Sequence, residues 1–166
     1  LVVRRAGAAI GQRRHQQRMA QERRLTDNEE RWRLALGAAG DGVWDWNLVN
    51  NTILFSLGGE TMLDHENAEL STNIDEWKKR IHPNDLQEAI DSLEKHFRGE
   101  TAFYVQEHRI ASKDGSWQWI LNRGMVIARA PDGKPLRMVG THTDISARKQ
   151  MEVMLTTLAT TDALTG

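Results

Sequence analysis

Residues 102–146 read AFYVQEHRIASKDGSWQWILNRGMVIARAPDGKPLRMVGTHTDIS. Within them, Ala102 to Ser112, Ser116 to Ala130 and Pro135 to Ile145 abandon the period near 3.6 of the preceding segment and have the length and composition of strands. Asp114-Gly115 and Asp132-Gly133 separate the three runs, and Asp-Gly is a preferred hairpin signal. The stretch predicts a three-stranded antiparallel meander. Strand alternation puts Glu107 and Arg109 on one face with Phe103 and Val105, and His108 on the other with Tyr104 and Ile110. Glu107 and Arg109 are then rim groups of a ligand cavity or members of a cross-strand ion pair, and the pattern admits either face as the inward one.

Upstream, Pro83 opens the clearest helix. Asp85, Glu88 and Asp91 come early, Lys95, His96 and Arg98 come late, and Gly99 is the stop, all in accord with the helix dipole. Leu86, Ala89, Ile90, Leu93 and Phe97 form its expected buried face. Residues 57–82 carry short helical stretches, notably Ile74 to Ile81. Val43 to Leu48 and Thr52 to Ser56 are two further strands joined by Val49-Asn50-Asn51. Thr26-Asp27-Asn28-Glu29 has capping-box form and predicts a helix start, with Trp32, Ala35, Leu36 and Ala39 as its apolar stripe and Gly40 and Gly42 at its end. Downstream, Ser146 can cap a helix from Ala147 onward, and Met151, Leu155 and Leu158 repeat at a spacing suited to pairing with a second copy. The expected fold class is α+β: a five-stranded antiparallel sheet with helices on one face, an N-terminal capping helix and a C-terminal exit helix.

The 166 residues carry 39% hydrophobic and 27% charged side chains and no cysteine, which suits one globular domain and excludes disulfides, thiolate metal sites and cysteine chemistry. The net charge of −1 hides an asymmetry: residues 1–25 hold seven Arg against Glu22 alone, so the remainder is acidic and unsuited to nucleic acid. That basic segment reads as the cytoplasmic exit of a membrane helix or as a solvated connector. No run of about 18 apolar residues is present to span a bilayer.

The ordered set Gly42-Val43-Trp44-Asp45-Trp46, Ile81-His82-Pro83-Asn84-Asp85, Glu107-His108-Arg109, Lys113-Asp114-Gly115-Ser116-Trp117, Val139-Gly140-Thr141 and Thr143-Asp144-Ile145-Ser146 followed by Arg148-Lys149 resembles a PAS sensor domain with its C-terminal PAC portion. The likeness covers about residues 30–150; the family often has Asp where Asn84 stands and Thr where Ser146 stands, and both changes keep capping chemistry. Thr161-Asp162-Ala163-Leu164-Thr165-Gly166 resembles the first residues of a GGDEF domain, the fold that condenses two GTP into cyclic di-GMP. The resemblances imply a basic juxtamembrane or linker helix at 1–25, a PAS/PAC sensor at 26–146, a signalling helix at 147–160 and the start of a GGDEF domain at 161–166.

No catalytic set is readable: Ser56, Ser71, Ser92, Ser112 and Ser116 lie in no nucleophile-elbow context, Gly58-Gly59 opens no phosphate cradle, and the six His show no metal spacing. The fragment is therefore expected not to be an enzyme. Some PAS domains hold haem through a histidine on the long helix, which the resemblance maps to His96; the alternative is a histidine satisfying the last carbonyls of that helix. The Trp pairs Trp44/Trp46 and Trp117/Trp119 each share a strand face and suit either stacking on a flavin or packing in a core or dimer. The expectation is no cofactor, with haem or flavin as the alternative and His96, Arg109 and Trp119 as the candidate contacts.

Asp144, Ile145 and Ser146 form the strand-to-helix junction: the hydroxyl caps, the isoleucine anchors the strand end, and the acid pairs with a basic neighbour. With Met151, Leu155 and Leu158 they are the expected transmission residues. The functional expectation is a sensory and dimerising PAS module, cytoplasmic, with a parent anchored in the inner membrane. It would act on a GGDEF domain in cis, with a homodimeric partner, a small-molecule ligand and membrane contact through residues 1–25. The alternatives are a ligand-free dimerisation spacer, a haem or flavin sensor, and the PAS module of a histidine kinase, the last disfavoured within this window because no His follows His142.

Overall fold

The computed structural model describes residues 2–38, 40–55, 70–112 and 114–165. Gly58-Gly59, His65, the short helical stretches expected ahead of Ile74, Lys113 and Gly166 lie outside the described residues, as do Ala39 and the side chains of Trp32 and Leu36 in the expected apolar stripe. The chain divides into two compact units, Leu1–Ala38 and Ala39–Gly166.

The first unit is one helix, α1 (Val2–Ala38), and the start expected at Thr26 is absent. The Thr26 hydroxyl instead donates to the Glu22 carbonyl one turn back, at 2.9 Å. The residues before it are mostly Arg, Gln, Ala and Glu, strong helix formers, so the helix never breaks and the hydroxyl bonds its own ladder rather than capping a new one. The helix runs on to Ala38, past the boundary expected after residue 25. Among the described residues no helix is long and apolar enough to cross a membrane.

The second unit runs β1 (Gly42–Asn47), β2 (Thr52–Phe55), β3 (Leu70–Thr72), α2 (Ile74–Arg80), α3 (Pro83–Phe97), β4 (Tyr104–Ala111), β5 (Trp117–Arg129), β6 (Pro135–Asp144) and α4 (Ser146–Thr165). The sheet order is β3-β2-β1-β6-β5-β4, with every pairing antiparallel. All five expected strands form; β3 adds a sixth at the edge, and its three residues are too few to show a period. Asn51 takes φ 55° in the first hairpin, and both Asp-Gly pairs fall in the expected connections. The exit helix starts at Ser146 and continues through Thr165, past the end expected at residue 160.

Even-numbered residues of β1, β4, β5 and β6 face inward. Trp44, Trp46, Tyr104, His108, Ile110, Ile120, Asn122, Met138 and His142 are buried there, while Glu107 and Arg109 face outward. A pair of glycines explains the choice. Gly140 lies opposite both Trp44 and Gly124, and a Cβ on either glycine would overlap the Trp44 indole, so only this face accepts that ring against the sheet. The second indole pair, Trp117 and Trp119, faces outward and contributes nothing to this core.

Helix α3 covers the inward face with Ala89, Leu93 and His96, while Leu86 and Phe97 pack at the margin. Its N-terminus is capped by His82, whose Nδ1 accepts the Asn84 N–H at 3.1 Å, with Pro83 completing the first turn. The capping expected of Asn84 is thus supplied by the residue before the proline. At the other end Arg129 donates to the carbonyls of Phe97 (2.8 Å) and His96 (3.2 Å), so β5 satisfies orphan helix acceptors.

Candidate functional site

Between the inward face and α2 and α3 lies an apolar cavity of about 30 Å³, lined by Trp44, Trp46, Phe55, Trp77, Tyr104 and Met138 among others. Trp44 lies on the glycine floor and its indole N–H donates to Asn122 Oδ1 at 2.9 Å, so the ring is held flat against the sheet as one wall of the cavity. Tyr104 lines this space, and His108 and His142 lie behind its lining residues Trp77 and Phe55; among the described residues nothing hydrogen-bonds the Tyr104 hydroxyl, either His108 nitrogen or His142 Nε2. His108 is 0% exposed and meets Trp77 edge-on at 5.4 Å between centroids; His142 is 4% exposed against Phe55. Burial holds both imidazoles down at about 4, which makes them neutral polar groups at physiological pH. Burial also raises the Tyr104 hydroxyl, keeping it protonated.

Haem and flavin do not fit this interior. Sites for groups of that size have volumes of about 300–1,000 Å³. His96 has no nitrogen to offer: Nδ1 donates to the Thr101 carbonyl at 2.9 Å, and Nε2 accepts the Val126 N–H at 3.0 Å. That second bond substitutes for a strand partner where β5 runs past the start of β4, which is why a polar residue interrupts the apolar stripe of α3. Arg109 and Trp119 lie on the outward face, so the three candidate contacts do not converge: strand alternation separates His96 from the other two. Among the described residues no group of three or more His, Asp or Glu could hold a metal ion.

The strand-to-helix junction is tightly wired. Ile145 is buried, its N–H donates to the Trp119 carbonyl at 2.9 Å, and its own carbonyl accepts from Lys149 in the first turn of α4. Capping is divided differently from expectation. Asp144 Oδ1 accepts the Ser146 N–H at 2.8 Å, doing the capping itself rather than pairing with a base, and the Ser146 hydroxyl accepts the Trp119 N–H at 3.1 Å. Strand β5 therefore holds both sides of the turn through Trp119.

Beside this junction the outward face carries a charged cluster. Glu107 binds Lys149 at 2.6 Å and also Arg148, and these two cations hold its carboxyl below the usual range. Asp85, in the first turn of α3, grips Arg109 with two bonds of 2.8 Å and accepts the Arg109 backbone N–H at 2.9 Å. The guanidinium holds that carboxyl low as well. The cross-strand ion pair does not form, since Arg109 pairs with α3 and Glu107 with α4, while Glu107 also lines an outward-facing groove with Trp119, Arg148 and Lys149. The sequence shows the charges but not which helix each strand residue meets. Along α4, Met151, Met154, Leu155 and Leu158 share one face and are 59–67% exposed.

A family profile for the PAS fold matches residues 53–142. A sensory box histidine kinase/response regulator from Burkholderia thailandensis superposes with a TM-score of 0.66 at 27% identity, covering 78% of this chain and 95% of that one. The N-terminal domain of a diguanylate cyclase with PAS/PAC sensor from Marinobacter aquaeolei shares the fold, with a TM-score of 0.55 at 19% identity over 66% of this chain and 98% of that one. In sequence, hybrid signal transduction histidine kinase A of Dictyostelium discoideum is 35% identical over 45% of this chain and 4% of its own length. An uncharacterized protein of Pseudomonas chlororaphis is 30% identical over 80% of this chain and 53% of its own length. The chain thus spans about half, or much less, of these two sequence relatives. From the inward glycine floor and the helices over it to the profile match across the sheet, the observations agree: this chain belongs to the PAS-fold family.

Proposed function

We propose that this PAS module is the sensory and dimerising input of a membrane-associated diguanylate cyclase, acting through α4 on a GGDEF domain that begins at about Thr161. The observation that carries the reading is α4 itself. A helix clamped at Ile145 and Ser146 by β5 presents an apolar face to solvent and carries the GGDEF-like residues Thr161 to Thr165 at its end. In a dimer those faces would pair, and a shift of β5 would change their angle or register, so a few kcal/mol of differential binding would be enough to redistribute the two states. The GGDEF assignment rests on the Thr161–Gly166 likeness, and the Arg-rich segment at 1–25 supports placement near a membrane surface.

The test has two arms. Met151→Ser with Leu155→Ser should convert this chain from dimer to monomer in sedimentation. In the full-length parent, Asp144→Ala with Ser146→Ala should change basal or stimulated cyclase activity at least severalfold. A chain that is monomeric without the substitutions, or a parent whose output ignores the junction, refutes the reading. Output to a histidine kinase is supported by the Burkholderia and Dictyostelium likenesses. A phosphoacceptor His in the sequence beyond Gly166, in place of a GGDEF signature, selects it. A cavity of about 30 Å³ favours the ligand-free spacer, which predicts no retained small molecule in native mass spectrometry and unregulated dimerisation.

A further inference from the structure

Trp119 is shared by two cations from different elements. The Arg109 guanidinium, from the residue opposite it in β4, lies 5.1 Å from the ring centroid, and Lys149 Nζ, from the first turn of α4, lies 4.9 Å from it. Each is favoured by the π-face, but two cations on one indole repel unless each has its own counter-charge. Here each does: Asp85 neutralises Arg109 from the first turn of α3, and Lys149 is neutralised by Glu107, which it shares with Arg148, together with Glu152 at 3.4 Å. The backbone of the same tryptophan holds Ile145 and Ser146. Ring and backbone of Trp119 together therefore seat α4, and of the two cations on the ring, the one that does not come from α4 is under the control of α3.

We propose that Asp85 and Arg109 are positioning residues for the exit helix: by fixing how Arg109 occupies Trp119, they set how firmly Lys149 and the first turn of α4 are held. The inference deepens the transmission reading above and rests on it only for its functional meaning, since the seating of α4 is measurable in this chain alone. The two members of the Asp85–Arg109 pair act in opposite directions. Asp85→Asn leaves Arg109 as an uncompensated cation beside Lys149 and loosens α4; Arg109→Gln surrenders the ring to Lys149 and tightens it. A merely structural ion pair would loosen the helix in both variants.

Amide hydrogen exchange in residues 149–153, normalised to Asn122 and Met138 in the sheet, reads the seat directly. For one exposed cation–π contact the expected change is about two- to fivefold, faster in Asp85→Asn and slower in Arg109→Gln. Asp85→Glu should restore the wild-type rate, and Lys149→Gln should remove the difference between Asp85→Asn and its parent. Changes of the same sign in both variants, or an Asp85→Asn effect that survives Lys149→Gln, overturn the proposal, as does an unchanged rate. If exchange changes as expected while full-length output does not, the positioning role stands and the transmission reading falls.

Discussion

Acidification from pH 7 to pH 5 should cost this domain about 4 kcal/mol, because its core holds two neutral histidines. His108 and His142 titrate at about 4 in the folded protein, driven by burial, against an ordinary value of 6.5. The unfolded chain therefore takes up protons first. Stability is intact above about pH 6.5 and falls steadily toward pH 4, where the folded state begins to protonate as well. At pH 5 each histidine contributes about 2 kcal/mol of loss, and near that pH unfolding binds close to two protons, a slope of about 2 kcal/mol per pH unit. Asp85 and Glu107 have depressed carboxyls, so what they contribute is retained above the ordinary carboxylate range and lost only below it. They leave the window from pH 5 to 7 to the histidines. Urea denaturation followed by tryptophan fluorescence should show the midpoint falling by about 2 M between pH 7 and 5. His108→Gln with His142→Gln should flatten the profile. A midpoint independent of pH, or a slope unchanged in the double variant, would refute the claim that these rings are buried uncharged.

Four other outcomes follow from the packing. Gly140→Ala should destabilise by about 1–3 kcal/mol and shift the tryptophan emission, because the new methyl meets both the Trp44 ring and the Arg123 carbonyl; Gly124→Ala, which meets only side chains, should cost less in the same urea assay. Met138→Ala, at a 0% exposed position, should cost about 2–5 kcal/mol by denaturation. Asp144→Ala should cost about 0.5–2 kcal/mol and accelerate amide exchange at Ser146, whereas Ser146→Ala should act chiefly on the Trp119 amide. Trp44→Ala should open a cavity able to bind indole, detectable by calorimetry, while the parent binds none; equal binding by both would contradict the plugged interior.

The meander, the long helix and the exit helix were legible in the sequence because each has a period and a punctuation mark: Asp-Gly between strands, Pro83 and Gly99 around the helix. The helix start at Thr26 misled because a capping box is a local signal that a strong helix former on its N-terminal side overrides. The interior was harder to read. Alternation along β4 and β5 sorts residues into two faces without saying which is inward, and that choice is made by Gly124 and Gly140, whose meaning emerges only when Trp44 is laid across them. His96 was visible as a helix-terminal histidine, but its partner Val126 is contributed by a strand thirty residues away. Arg109 and Trp119 stood out in the sequence as cofactor contacts, yet they belong to the outward face, beside the first turn of the exit helix, and not to the cavity under α2 and α3, because a strand's period of two fixes which residues travel together and leaves their destination open.

The strand order has a bearing on how the chain is made. Residue 42 pairs with residue 142, so β1 stands between its immediate neighbour β2 and the final strand β6. A nascent chain emerging from the ribosome can assemble the first hairpin, but it must keep one flank of β1 unsatisfied until nearly the whole domain has been translated. Closure of so long a loop is slow, and the waiting edge is a template for unwanted pairing. Truncations that stop before β6 should for this reason be aggregation-prone, and fusion partners are better attached after the exit helix than inserted within the meander.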